Sequence, residues 1–143
     1  MNSTKPTKNL SLQDAIIAVA VYASQLDPND CEEDIKKIQS LAQDHPLFDE
    51  DPEKTRSRIY RFANYMSTEK TEEFVNLAAA SSTLGTKKIA YKWAVELSLD
   101  EEGSLGEKRK LLEDLSIRLA ITADIADKII GEIKSKRSSQ HAI

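Results

Sequence analysis

AIIAVAVYASQLDPNDCEEDIKKIQSLA, residues 15–42, sets an apolar run, an acidic turn and an amphipathic run end to end. The apolar run has no face that water would favour, which predicts a helix from about Leu12 to Ser24, capped by Ser11 and buried on most sides. Beyond the turn DPNDCEED (Asp27 to Asp34), Ile35, Ile38, Leu41 and Ala42 recur at three- and four-residue intervals. That spacing gives a second helix, running to about Gln43, a single apolar stripe. His45-Pro46 stops it, because the residue before proline is pushed out of the helical region.

The same plan recurs later in the chain. Ile89, Ala90, Trp93, Ala94 and Leu97 predict a helix over about Lys87 to Leu97, DEEGSLGE (Asp100 to Glu107) is a second acidic turn, and Leu111, Leu112, Leu115 and Leu119 predict a helix from about Glu107 to Leu119. A shift of 71 residues lays Tyr22-Ala23 and Leu26 on Trp93-Ala94 and Leu97, and a shift of 73 lays Asp27, Asp34 and Ile38 on Asp100, Glu107 and Leu111. A two-residue loop insertion reconciles the two shifts, so the sequence predicts an internal helix-loop-helix duplication.

Three more helices complete the count. DEDPEKTRSRIYRFANYM starts with acids beside a proline and then aligns Ile59, Phe62, Ala63 and Met66. Thr71 opens a short helix with Phe74, Val75, Leu77 and Ala78 that ends before Ser81, and Thr122 caps one bearing Ile125, Ile129, Ile130 and Ile133. The expected fold is therefore all-α, a single compact bundle of about seven helices, with helix pairs packed around Ile17, Val21, Ile38, Trp93, Leu112 and Ile129. The domain is expected over residues 11–136, with flexible polar tails at 1–10 and 137–143.

Composition agrees. With 143 residues, four Gly, four Pro and 40% hydrophobic residues, the chain suits one helical core without disulfides. A formal charge of −4 and a pI near 5.3 argue against nucleic acid as a partner. Cys31 is the single cysteine, which rules out an intramolecular disulfide and a thiolate zinc cluster and suits a reducing cytoplasm. AIIAVAVYA is too short to span a bilayer, and the N-terminus has no signal-peptide core, so a cytoplasmic protein without a membrane span is expected.

The two copies YASQLDPNDCEEDIKKIQSLA and WAVELSLDEEGSLGEKRKLLEDLS resemble the TerB-like tellurite-resistance family, whose turn has the pattern A-D-G-x-x-x-x-x-E. The similarity covers approximately residues 12–135. The family's leading acid falls on Asp27 and Asp100, and its acid near the next helix start on Asp34 and Glu107. Pro28 and Glu101 stand where the family has glycine, with Gly103 two residues further on. The resemblance implies an all-helical cytoplasmic domain associated with stress or tellurite resistance, working with protein partners in a stress-response assembly rather than as a catalyst.

Asp27, Asp30, Asp34, Asp100, Glu102 and Glu107 are hard oxygen ligands of the kind calcium and magnesium take, and they make a candidate metal site. The same acids also stabilise helix starts with no ion present. Neither turn is an EF-hand: a loop opening at Asp27 has Glu32 at position six and Ile38 at twelve, and one opening at Ser98 gains Gly103 at six but ends on Arg109.

The remaining chemistry is sparse. The acids Asp30, Glu32 and Glu33 oppose a reactive Cys31 thiolate. Tyr91, Trp93, Phe62 and Tyr65 have core spacing more than the look of a cofactor box, and Lys54, Arg56, Arg58 and Arg61 look more like a solvated face than a site for acidic partners. The function expected is a noncatalytic interaction domain presenting an acidic, divalent-cation-binding surface, with no cofactor required. One alternative is a small-molecule enzyme with Glu102 or Glu107 as general base and His45 as its partner. Another is a structural oligomerisation module.

Overall fold

In a computed structural model of the chain, residues 11–25, 32–66, 71–80, 82–99 and 104–141 are described, the side chains of 65, 66, 71, 72, 74 and 137–141 excepted. Among the described residues there are seven α-helices and no strand: α1 (Leu12–Ser24), α2 (Glu32–Gln43), α3 (Pro52–Met66), α4 (Thr71–Ala80), α5 (Leu84–Ser98), α6 (Lys108–Arg118) and α7 (Ala123–His141). A 3-10 turn, Pro46–Phe48, joins α2 to α3. The all-helical architecture expected from the sequence is the one found.

α1 is the hub. Ala15 to Val21 and Ala23 are all buried, and the helix packs most extensively on α5 and then on α4 and α3. Its alanines, with Ala90 and Ala94 of α5, keep the two helices thin where they cross, so the isoleucines and valines between them can interdigitate. Ile17, Val21, Ile38, Trp93, Leu112 and Ile129, expected in the core, are all buried. Tyr91, Trp93 and Phe62 are core residues as well, and Trp93 packs on Phe48 with ring centroids 5.2 Å apart. Burial, with the charges of Asp127 and Glu113, pushes the Tyr91 hydroxyl up to about 12.

Helix boundaries depart from expectation in two places. α5 begins at Leu84, three residues before the expected Lys87, because Thr83 caps it by accepting from the Thr86 N–H at 3.3 Å. α7 runs on to His141, into the residues 137–143 expected to form a tail.

α2 and α6, which the sequence aligns at a shift of 73, also differ from expectation in register. The buried stripe Ile35, Ile38 and Ala42 of α2 matches Leu112, Leu115 and Leu119 of α6, an offset of 77 residues rather than 73. The difference is about one helical turn, which keeps the buried face and moves the acids. Asp34 is the third residue of α2, whereas Glu107 is the N-cap of α6 and makes no side-chain cap hydrogen bond. The two acids therefore do not occupy equivalent positions.

Candidate functional site

The end of α1, the start of α2 and the start of α6 meet at one corner of the bundle. α1 stops because Gln25 turns left-handed, with φ of 53°, and its N–H donates back to Tyr22 O at 3.2 Å. The Gln25 side-chain amide donates to the same carbonyl at 2.7 Å. The next carbonyl, Ala23 O, is satisfied from 85 residues away, where Lys108 Nζ donates to it at 2.8 Å.

Gly106 delivers that lysine. It has a φ of 51°, a left-handed conformation that an L side chain adopts only with strain, and Lys108 N–H closes the turn on Leu105 O at 2.9 Å. Burial lowers the Lys108 ammonium from its ordinary value, against the opposing influence of the Asp34 carboxylate. A second link between α1 and α6 lies alongside, where Tyr22 Oη donates to Asp114 at 3.4 Å and Arg118 Nε donates to the same carboxylate at 2.8 Å.

Of the six acids expected to ligate a cation, Asp34 is half-buried beside Lys108 and Glu107 is exposed at the cap of α6. Asp27, Asp30, Asp100 and Glu102 lie outside the described residues, as does Cys31. Among the described residues no three His, Cys, Asp or Glu side chains group to hold a metal ion. The cation that this corner does hold near Asp34 is the chain's own ammonium.

Further along α2 an open groove of about 480 Å³ lies between α2 and the last turns of α5. Leu41 and Leu97 supply its apolar lining, Lys36, Lys37 and Ser40 its α2 rim, and Asp44 and Glu96 its acids. Glu32, at the first position of α2, pairs with Arg56 at 2.7 Å. That hydrogen bond and the arginine's charge hold its carboxyl below the ordinary carboxylate value. Arg56 in turn stacks over the Tyr60 ring at 5.3 Å.

α3 is not the uniformly solvated basic face its sequence suggested. Arg58 is largely withdrawn from water and reaches Asp14 of α1 and, at 3.0 Å, Glu50. Arg61 pairs with the same Asp14 oxygen at 2.7 Å, and Thr55 Oγ1 donates to Glu50 at 2.6 Å. These contacts lock α3 to α1 and neutralise the arginines internally. His45 is likewise engaged, its Nδ1 accepting from Leu47 N–H at 3.2 Å and its ring set edge-on to Trp93.

Neither Lys108 nor the groove was found by sequence reasoning. The lysine's signal is only an Nζ carrier at the first helical position, and each groove residue alone is an ordinary surface side chain. No helix among the described residues is long and apolar enough to cross a membrane. Comparison with protein-family models, with curated proteins and with solved structures finds no match for this chain.

Proposed function

We propose that the chain is a noncatalytic TerB-like interaction domain, associated with stress or tellurite resistance, whose working surface is the acidic corner and the groove further along α2. The groove between α2 and α5 carries the proposal: an open channel lined by two leucines, with Lys36, Lys37 and Asp44 along its α2 side and Glu96 on its α5 side, suits a protein segment that pairs both kinds of charge while burying an apolar side chain. Mixed charges of this sort set orientation and partner choice more than raw affinity.

Two features support a binding role over catalysis. His45 is committed to capping the 3-10 turn and packing on Trp93, so it is a poor partner for a glutamate base. The aromatic residues that might have formed a ligand box, Tyr91, Trp93 and Phe62, are core. Calcium or magnesium at Asp27, Asp30, Asp34, Asp100, Glu102 and Glu107 remains part of the proposal as a modulator of the surface.

The partner test is charge reversal. A protein that co-purifies with the wild-type chain is expected to bind Lys36→Glu/Lys37→Glu at least about tenfold more weakly, with unfolding unchanged because both lysines are exposed. Equal affinity would remove the groove from the interaction surface. Calorimetric titration tests the ion: weak binding of calcium or magnesium that is lost in Asp27→Asn/Asp100→Asn supports it, and no binding heat removes the cation from the account.

A further inference from the structure

Ile117 is the most exposed large hydrophobic side chain among the described residues, with 75% of its surface in water. Lys110 and Glu113, both exposed, precede it on α6 at helical spacing, so the three lie along one face. Leu112, Leu115 and Leu119 bury the opposite side of the helix in the chain's own core, which leaves the Ile117 face turned outward, toward other molecules. The groove between α2 and α5 carries a matching line of reversed sign. Glu33, Lys37 and Leu41 follow one another at four-residue intervals along α2, Lys37 and Leu41 lining the groove and Glu33 exposed one turn before it. α2 thus runs acid, base, leucine where α6 runs base, acid, isoleucine.

We propose that the groove takes the Ile117 face of α6 from a second copy of the chain, an inference that rests on the groove being a binding surface. With the two helices parallel, Ile117 enters between Leu41 and Leu97 while Glu113 meets Lys37 and Lys110 meets Glu33. The antiparallel direction is disfavoured, because with Ile117 in the same place it sets Glu113 against Asp44. Two different surfaces meet in this contact, so a pair retains one unused groove and one unused α6 face unless its rotation closes a ring. One helix face in one open groove lies at the small end of specific interfaces, which makes the association weak and sensitive to salt.

Sedimentation of the full chain over a concentration series reads the association directly. The wild-type average mass is expected to rise with concentration, and Ile117→Asp is expected to weaken the association by about tenfold or more. A charge exchange tests the register. Lys37→Glu and Glu113→Lys are each expected to associate poorly alone, and an equimolar mixture of the two is expected to recover association, because every contact between unlike copies then pairs opposite charges. A wild-type mass that stays at the monomer value overturns the second copy as occupant. So does association unchanged in Ile117→Asp, or a mixture that associates no better than its components. None of these results touches the groove as a binding surface, which fails separately when the co-purifying protein binds Lys36→Glu/Lys37→Glu as tightly as wild type. Should Ile117→Asp fail to fold, the wild-type series and the charge mixture decide.

Discussion

Glu50 and Lys108 are both charged groups drawn partly out of water, and both sit below their ordinary values, Glu50 through favourable partners and Lys108 through the penalty of burial. Burial alone would raise the Glu50 carboxyl, but hydrogen bonds from Arg58 and Thr55 outweigh it and leave the group below its ordinary value of 4.5. A carboxylate depressed on folding adds stability that is fully present above the unfolded value and is lost as pH falls through the folded one. Urea unfolding should therefore show wild-type stability falling below about pH 4.5, and Glu50→Gln should show a distinctly smaller fall over the same range. An identical pH profile in the two proteins would mean that Glu50 carries none of this linkage. For Lys108 the slope has the same sign but a different origin: its lowered value means the unfolded chain binds more protons just below 10.5, so a cost of burying its charge is relieved as pH rises there. Neither behaviour was legible in the sequence. Arg58 sits among four basic residues on α3, and the partners that take it out of solvent come from α1 and from the turn before α3.

Helix existence was legible because each amphipathic stripe records burial directly. Ile35, Ile38 and Ala42, and Leu112, Leu115 and Leu119, are buried where their spacing placed them. Boundaries were harder because they depend on single caps. The stretch from Thr83 to Lys88 contains two threonines and Gly85, all weak helix formers, and its start is set by the Thr83 hydroxyl instead. The end of α6 offers a sharper case. Ala120 is left-handed with φ of 57°, its N–H donates to Ile117 O at 3.0 Å, and Ile121 N–H donates to Ser116 O at 2.9 Å. Both bonds of a Schellman stop are present with alanine where glycine is usual. Ala120→Gly should relieve the left-handed strain and stabilise the protein by about 0.5–1 kcal/mol, read as a higher urea midpoint with an unchanged slope. A lower midpoint would mean that the gain in unfolded-chain entropy outweighs the strain.

At the scale of the molecule, α1 buried against α5 brings the first half of the chain onto the second, and the corner at the end of α1 is closed from α6. That meeting was legible in outline, since α1 and α5 are the two helices whose sequences are apolar on most sides. The Lys108 to Ala23 contact joins residues 85 apart, and the groove needs Leu41 and Leu97 to arrive side by side from different helices. No local pattern encodes either. The central claim, that the α1–α2 corner and the start of α6 form one surface, is tested most directly by a spin label on Gln25→Cys in a Cys31→Ser background, with amide signals followed by NMR. The account predicts strong broadening of Lys108 and Arg109 and much less past the end of α6 at Arg118. Sharp Lys108 and Arg109 signals in a folded, labelled protein would contradict it.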